Sequence, residues 1–350
     1  MVVVGSDVHK RTHTFVAVDE AGRKVGEKTV KAVPKGHDKA ICWAREQFGD
    51  DVTWAIEDCR HLSARLELDL LDAGERVVRV PPKLMAEQRR TARTRGKSDP
   101  IDALAVARAA LREPDLPVAT HDEASRELKL LVDHREDLVG QRTAVINRFR
   151  WHLHRIDPTL DPTPRSLDRA KTRAHLRGVL ADLSGIDARL ARELLEDIEA
   201  LTVRANALEK EIAVLVADRV PALLDLPGCG PLTAAKIVGE TAGVDRFATE
   251  AKYAMHAGVA PIPVWSGRTH GRVRVNKSGN RQLNAALHRI AVTQIRHDGP
   301  GRAYYRKRLD AGDSKTEALR ALKRRLARVV FQTLKNNSST TSATGLAAAA

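Results

Sequence analysis

Residues 2–31 read VVVGSDVHKRTHTFVAVDEAGRKVGEKTVK, and this stretch decides the fold of the first part of the chain. Three segments, VVVGSDV, THTFVAVDEAG and KVGEKTVKAV, are separated by turns at His9–Arg11 and Ala21–Gly22. Short runs rich in valine, threonine and phenylalanine between such turns are typical of β-strands. The pattern therefore predicts a three-stranded β-meander.

Beyond the meander, strand-like and helix-like segments alternate up to about residue 120. A helix is predicted from Gly36 to Phe48, a strand at VTWAIED, a helix from Leu62, a strand at RVVRV and a helix in PPKLMAEQRR. Strands that are followed by strand–helix alternation indicate an α/β domain with a mixed sheet. We assign this domain to residues 1–120.

Helical spacing dominates the middle of the chain, from Ser125 to Arg155 and again from His175 to Ala217. The prolines of the intervening DPTLDPTPRS forbid one continuous helix. Residues 121–218 are therefore predicted to form a long α-hairpin or coiled-coil arm with a proline-rich tip. The spacing does not decide whether this arm is an oligomerisation surface or a spacer.

A third domain is predicted over residues 219–335, and it opens with LLDLPGCGPLTAAKIVGE. Here Gly228 and Gly230 flank Cys229 ahead of a predicted helix. A tight glycine turn at a helix N-terminus presents backbone N–H groups to a phosphate, as in helix-hairpin-helix elements that hold a DNA backbone. An ordinary turn between helices is the alternative interpretation.

The last residues, 336–350, read NNSSTTSATGLAAAA and contain almost no large apolar side chains. A segment of this composition cannot form a core of its own. We therefore predict a disordered tail.

The charge balance favours a polyanionic partner. The 350 residues include 59 Lys and Arg against 45 Asp and Glu, a net charge of +14. Nucleic acid is the commonest partner of such a chain, although a ribosome-associated or merely soluble basic protein has the same composition.

Three widely spaced cysteines argue against a disulfide framework or a zinc site. Because no apolar run is long enough to span a bilayer, we expect a cytoplasmic protein that joins the nucleoid when it acts and has no membrane contact.

Acidic residues fall at the ends of several predicted elements. Asp7 closes the first strand and Glu57 closes the fourth, and these two strands can lie side by side in a mixed sheet. In KSDPIDALAVA, Asp99 and Asp102 are three residues apart at the start of a helix and share one face. Because crowded carboxylates repel one another unless cations neutralise them, the four acids predict a site for two Mg²⁺ or Mn²⁺ ions. The alternative interpretation is that Asp99 caps the helix and Asp102 complements its dipole, while Glu57 is a polar strand end and Asp7 a turn residue.

Five motifs, spread over almost the whole chain except the tail, resemble those of one family. In order they are GSDVHK, AIEDC, KSDPIDALAVARAA, LPGCGPLTAAKIVGE and HAGVAPIPVWSGRTHGRVRVNKSGNRQLNAALHRIA. They resemble the DEDD transposases of the insertion sequence one-ten group and the related Piv-type DNA invertases. The resemblance implies an N-terminal RuvC-like (RNase H-like) nuclease domain, a coiled-coil segment and a mainly α C-terminal transposase domain with a nucleophilic serine. It also implies that Asp7, Glu57, Asp99 and Asp102 are the metal-site acids.

The implied nucleophile is Ser266. Relatives often have Ser-Ser-Gly where this chain has Trp265-Ser266-Gly267, and Ser278 lies where relatives commonly have another residue. Basic side chains follow the serine closely enough to bind a scissile phosphate and stabilise its developing charge. They are Arg268, His270, Arg272, Arg274 and Lys277. A surface serine within a solvated basic loop is the alternative interpretation.

Two basic helices, QLNAALHRIAVTQIR and ALRALKRRLARVVFQTL, are predicted to form a nucleic-acid groove that includes Arg281, Arg324 and Arg325. Such side chains contact mainly phosphates, so binding should be sensitive to salt and weakly selective for sequence. With few aromatic residues in the chain, base stacking cannot be the main source of affinity.

The resemblance further implies a structured guide RNA. Because the acids and the serine fall in different predicted domains, we expect them to meet between protomers of a homodimer or homotetramer.

Three functional hypotheses follow. The first is a DNA recombinase that cleaves and exchanges strands through a phosphoserine intermediate. The second is a metal-dependent endonuclease of the Holliday-junction type, in which Ser266 takes no part in the chemistry. The third is a non-catalytic RNA-binding scaffold. A protein–DNA adduct distinguishes the first from the second, and metal dependence distinguishes both from the third.

Overall fold

The structure, a computed structural model, describes residues 1–57, 62–91, 96, 98–120, 122–269, 273–275 and 279–348. The chain divides into two units. Unit 1 comprises Met1–Asp122 with Asp245–Ala248, and unit 2 comprises Glu123–Val244 with Thr249–Ala350. The division falls near the predicted boundary at residue 120. The segments predicted as a separate arm and a C-terminal domain belong to one unit.

Unit 1 is built around a five-stranded sheet. Its elements are β1 (Val2–Val8), β2 (Thr12–Val18), β3 (Lys24–Lys31), α1 (Pro34–Phe48), β4 (Val52–Glu57), α2 (Ala64–Asp72), β5 (Arg76–Val80), α3 (Pro82–Thr91) and α4 (Asp99–Arg112). The strand order is β3-β2-β1-β4-β5, with β1, β2 and β3 antiparallel and with β4 and β5 parallel to β1. The predicted meander, the mixed sheet and the side-by-side placement of the first and fourth strands are confirmed.

Both faces of this sheet are buried at β1, β2, β4 and β5, whereas the edge strand β3 is largely exposed. Because side chains alternate along a strand, Val4 packs on the face that α1 and α2 cover, where Trp54 and Phe15 are fully buried. Its neighbour Val3 packs on the other face, against residues of α4 such as Val106. The sheet thus lies between two helical layers.

Helix α4 lies directly on β1 because both elements have small residues at the contact. A Cβ atom at Gly5 would come within 2.1 Å of the backbone oxygen of Ala103 and within 2.8 Å of the Cβ of Ala107. No side chain other than the hydrogen of glycine fits there. This contact brings the first turn of α4, which carries Asp99 and Asp102, beside the end of β1.

Unit 2 is mainly helical. Its elements are α5 (Glu123–Ile156), α6 (Ala170–Ala181), α7 (Ile186–Arg219), α8 (Pro231–Thr241), α9 (Glu250–His256), β6 (Pro261–Pro263), β7 (Val273–Val275), α10 (Arg281–Arg296), α11 (Pro300–Asp310) and α12 (Lys315–Ala348). Short 3-10 turns lie at Ser166–Asp168, Pro221–Leu223 and Gly267–Thr269.

Helices α5 and α7 pack extensively against each other in unit 2 and run antiparallel. Arg219, at the end of α7, donates a hydrogen bond of 2.6 Å to Glu127, at the start of α5. At the other end of the pair, Nδ1 of His152 lies 2.8 Å from Oδ1 of Asp187. Two long helices with a proline-containing connection are therefore present as predicted. The coiled-coil geometry of this pair remains a prediction.

The end of the chain differs from the predicted disordered tail, because α12 continues to Ala348. Asn337 donates a hydrogen bond of 2.8 Å to the backbone oxygen of Arg219, and the hydroxyl of Ser338 bonds to the backbone oxygen of Leu334 at 3.0 Å. The bond of Asn337 thus joins the beginning of the predicted tail to the end of α7, whereas that of Ser338 lies within α12. No proline interrupts the segment, and alanine is the strongest helix former.

The described cysteines, Cys42 and Cys229, form no disulfide. Cys42 is free and exposed, and Cys229 is free and buried. Burial raises the pKa of the Cys229 thiol to about 12, while Cys59 lies outside the described residues. Within the part of the chain that the structure describes, no helix has both the length and the apolar character needed to cross a bilayer.

Candidate functional site

The carboxylates of Asp7 and Asp99 meet around the imidazole of His9. Nε2 of His9 lies 3.0 Å from Oδ2 of Asp7 and 3.4 Å from Oδ1 of Asp99. One ligand atom from each of the three side chains lies within 4.8 Å of the other two. Oxygen and imidazole donors at such spacing can share a divalent cation.

His9 is a site residue that the sequence analysis did not identify, because residues 9–11 were read only as a turn. The turn is present, since the backbone N–H of His9 donates to the backbone oxygen of Thr12 at 3.1 Å. A signal was available. His9 follows Asp7 by two residues at the end of a strand, and residues two apart in extended chain point to the same side.

A second pair of charges lies beside this cluster. Nε of Arg89, on α3, lies 3.0 Å from Oδ1 of Asp102, whose side chain is largely buried. Burial raises the pKa of Asp7; the nearby charges of Asp102 and Asp99 raise it further, whereas His9 lowers it. Asp7 is therefore a crowded carboxylate with two acidic neighbours, and such an arrangement favours a bound cation.

Glu57 occupies the matching position on the neighbouring strand. Ser6 and Ile56 are register partners of the parallel strands β1 and β4, and Asp7 and Glu57 follow them at the two strand ends. The structure thus brings Asp7, Asp99 and Asp102 together and places Glu57 at the adjacent end of the sheet. Ser98, not Asp99, is the N-cap residue of α4, so capping does not account for Asp99.

Ser266 lies on a small hairpin in unit 2. Strands β6 and β7 pair antiparallel, with Ile262 opposite Arg274. We call residues 261–269 and 273–275 the serine hairpin. Ser266 is exposed and immediately precedes the 3-10 turn that contains Arg268, which is also exposed. Among the other predicted phosphate-binding residues, His270, Arg272 and Lys277 lie outside the described residues.

The predicted glycine turn precedes a helix, as expected. Helix α8 begins at Pro231 with Gly230 as its N-cap residue. Gly228 has a φ of 87°, and a Cβ there would come within 2.9 Å of the Cβ of Thr293, so this position requires glycine. Arg281 is exposed in the first turn of α10. Phosphate binding by these groups remains a prediction.

The two predicted arginines of α12 have different surroundings. Arg324 is 3.1 Å from Oε1 of Glu250 and is therefore already paired, whereas Arg325 is exposed and its guanidinium carbon lies 4.8 Å from the ring centroid of Tyr304. Both line a cleft of about 600 Å³. Its lining residues are Tyr304, Ala321, Arg324, Arg325, Arg328 and Val329.

Two family models match the chain. Residues 4–158 match a model described as Transposase, the DEDD type of IS110, and residues 220–306 match one described as Transposase IS116/IS110/IS902 family. This chain belongs to the IS116/IS110/IS902 family of transposases. The first match includes the carboxylates around His9, and the second includes Ser266. Membership of the family makes this transposase a DNA-cleaving and strand-transferring enzyme.

Relatives of this transposase extend over nearly the whole chain. An insertion element IS116 protein of Streptomyces clavuligerus is 28% identical over 95% of this chain and 94% of its own length. An insertion element IS900 protein of Mycobacterium paratuberculosis is 28% identical over 99% of both chains. A solved structure, T. thermophilus RuvC in complex with a Holliday junction substrate, matches with a TM-score of 0.26 and 15% identity, over 33% of this chain and 94% of that chain.

Proposed function

We propose that this transposase cleaves and exchanges DNA strands by joint use of a two-metal centre and a serine nucleophile. The metal centre comprises Asp7, Glu57, Asp99 and Asp102, and the nucleophile is Ser266. The observation that carries the proposal is the convergence of Asp7, His9 and Asp99 within 4.8 Å at the end of β1 in a chain of a transposase family.

The residues of unit 1 fit divalent cations. Asp7 is a partly buried carboxylate with Asp99 and Asp102 as neighbours, and a cation between them would remove their mutual repulsion. We propose Mg²⁺ or Mn²⁺ as two ions held by the four acids. When bound, they would stabilise negative charge on the phosphate oxygens of the DNA. His9, between Asp7 and Asp99, orients both carboxylates.

The serine would conserve the energy of the broken DNA bond. The hydroxyl oxygen of Ser266 attacks the phosphorus, a phosphodiester forms to the serine, and the displaced sugar oxygen leaves with a proton. A hydroxyl of the partner strand then attacks the same phosphorus, and the serine oxygen leaves with a proton. The number of phosphodiester bonds is unchanged, so no water and no energy source is consumed. The exposure of Ser266 and the neighbouring Arg268 and Arg274 support this role.

Nucleic acid would be held mainly through its phosphates. Exposed Arg281 and Arg325, and the glycine turn at Gly228 and Gly230, are the proposed contacts in unit 2. Arg324 contributes less, because Glu250 already pairs with it. A structured guide RNA is proposed from the family resemblance. A homodimer or homotetramer is proposed because the acids and Ser266 fall in different predicted domains.

The proposal is tested by a strand-exchange assay with purified protein, labelled donor and target DNA, and RNA transcribed in vitro from the DNA that flanks the gene. Wild type should exchange strands only with a divalent ion, and Asp99→Asn and Ser266→Ala should each abolish exchange while they retain DNA binding. Asp38→Asn, which removes an exposed carboxylate on α1, is the matched control and should stay active. Full metal-dependent cleavage by Ser266→Ala would instead indicate a junction-type endonuclease. Binding without metal-dependent cleavage under any condition would indicate a scaffold.

A further inference from the structure

The two chain segments that lead into and out of the serine hairpin are held tightly together. We call residues 256–260 and 279–280 the neck. The backbone N–H of Asn280 donates to the backbone oxygen of His256 at 2.6 Å. A Cβ at Gly279 would come within 2.2 Å of the backbone nitrogen of Gly258. The two segments are therefore at their closest possible approach, and the position of the neck determines where the hairpin starts.

A buried carboxylate lies behind the neck. Glu240, on α8, is 5% exposed. Its Oε2 accepts a hydrogen bond of 2.5 Å from Nδ2 of Asn280, and its Oε1 accepts one of 2.6 Å from Nζ of Lys129, on α5. Its backbone oxygen accepts from Nε2 of His256 at 3.2 Å. Both segments of the neck are thus bound to one residue of α8.

Lys129 remains a cation in this partly buried position. Burial lowers its pKa, but the hydrogen bonds from its ammonium group to Glu240 and Asp133 outweigh that effect, and the pKa is raised. A charged hydrogen bond is stronger and more directional than a neutral one. The carboxylate of Glu240 is therefore fixed in orientation by α5.

Asn280 uses both ends of its side-chain amide. While Nδ2 donates to Glu240, Oδ1 accepts from the backbone N–H groups of Gln282 and Leu283 at 3.0 and 2.9 Å and so caps α10. The orientation of this one amide group thus determines both the direction of α10 and the position of residues 279–280, which follow the serine hairpin. An apolar contact would hold the neck equally well, because replacing buried ion pairs by apolar side chains is often neutral for stability. It would not fix this orientation.

We propose that Glu240, Lys129 and Asn280 are positioning residues that hold the neck so that Ser266 is presented at a fixed place and angle. The proposal rests on the proposed role of Ser266. The three residues act through the neck and do not touch the DNA. The hydrogen bonds of Glu240 and Asn280 matter for presentation of the serine, more than for the stability of unit 2.

The proposal is tested by exchanging the donor and the acceptor of the hydrogen bond between Asn280 and Glu240. Asn280→Asp keeps the oxygen that caps α10 but turns a carboxylate oxygen toward Glu240, so the two groups repel. We expect the rate of covalent Ser266–DNA adduct formation to fall about tenfold or more, with DNA affinity unchanged. Addition of Glu240→Gln supplies an amide donor toward the introduced carboxylate and keeps an oxygen for Lys129. The double variant should therefore recover most of the rate.

The matched control removes a carboxylate of the same type elsewhere. Glu209→Gln removes the charge of a carboxylate that accepts a 2.6 Å bond from Arg135, between α5 and α7, and does not contact the neck, so its adduct rate should equal that of wild type. If Asn280→Asp fails to fold, Asn280→Ser replaces it, because serine retains a capping oxygen but has no donor that reaches Glu240. An adduct rate unchanged in Asn280→Asp, or no recovery in the double variant, would overturn the proposal.

Hydrogen exchange gives a readout that does not depend on the chemistry of Ser266. The backbone amides of residues 279–284 should exchange faster in Asn280→Asp and regain protection in the double variant. Should wild type form no adduct at all, the proposed function fails, while this exchange pattern still decides whether the neck is held as described. Exchange equal to wild type in Asn280→Asp would refute the neck contact itself.

Discussion

Nε2 of His9 lies 3.0 Å from Oδ2 of Asp7, and the same nitrogen is 3.4 Å from the nearer oxygen of Asp99. The imidazole therefore holds in place two of the carboxylates proposed to bind metal. It also offers a nitrogen donor, which Mn²⁺ accepts more readily than Mg²⁺ does.

The first prediction concerns His9. His9→Ala should raise the metal concentration that gives half-maximal DNA cleavage and should lower the rate roughly 10- to 100-fold, the range found when residues that orient metal ligands are lost. The effect should be larger in Mn²⁺ than in Mg²⁺ if the nitrogen itself is a ligand. Cleavage titrated with each ion measures both quantities. Titration curves identical to wild type would show that His9 has no part in the site.

The second prediction concerns the ion pair of Arg89 with Asp102, which are 3.0 Å apart. The guanidinium competes with a metal ion for Asp102. Arg89→Ala should therefore lower the metal concentration needed for half-maximal cleavage several-fold, as expected when a cation within about 4 Å is removed. Asp102→Asn, in contrast, should abolish strand exchange and leave DNA binding intact. Full activity of Asp102→Asn in Mg²⁺ would exclude a four-carboxylate site.

The third prediction separates two neighbouring arginines of α12. Arg325 is exposed beside Tyr304, whereas hydrogen bonds from Arg328 and Arg324 hold the pKa of Glu250 at about 2. One lost phosphate contact reduces the slope of log affinity against log salt by about 0.9 on duplex DNA. Arg325→Ala should show this reduction, and Arg324→Ala should show less of it.

Binding measured over a range of salt concentrations checks the difference. Arg204→Ala, an exposed arginine on α7, serves as the control and should keep the slope of wild type. Equal slopes for wild type and Arg325→Ala would place the nucleic-acid groove elsewhere.

The fourth prediction concerns acid stability. His13 is buried against His37, with ring centroids 5.1 Å apart. Burial, followed by the charge of His37, lowers the pKa of His13 to about 4 from 6.5. In the unfolded chain His13 takes up a proton at the higher pKa. The contribution of neutral His13 to the free energy of unfolding is therefore complete above about pH 6.5 and is lost as the pH falls toward 4.

Urea unfolding at pH 7 and at pH 5 measures this loss. Between these pH values His13 accounts for a loss of ~2 kcal/mol, which His13→Phe should remove because phenylalanine does not titrate. His175→Gln, an exposed histidine on α6, should keep the acid sensitivity of wild type. Unchanged sensitivity in His13→Phe would contradict the assignment.

Much of unit 1 could be predicted from sequence because its signals are local. Turn residues delimit β1 and β2, and alternation then fixes which side chains share a face. Once β1 and β4 are placed as parallel neighbours, Asp7 and Glu57 must end at the same edge of the sheet. The acidic cluster follows from topology.

The remaining features depend on contacts between residues that are far apart in the sequence. The pairing of Arg324 with Glu250 joins α12 to α9, and the contact of Asn337 with the backbone of Arg219 extends α12 into the predicted tail. Neither pair has a pattern in the sequence, since a helix face shows its charges but not their partners. The counter-charge of Arg89 at Asp102 was missed for the same reason.

The most direct test of the account is the capture of Ser266 on DNA. Labelled DNA is incubated with the protein, a divalent ion and RNA transcribed in vitro from the DNA that flanks the gene, and the reaction is denatured and resolved on a gel. We predict a labelled protein band in wild type that is absent in Ser266→Ala, and mass spectrometry of its peptides should place the nucleotide on Ser266. A band that persists in Ser266→Ala, or a nucleotide mapped to Ser278, would contradict the central claim.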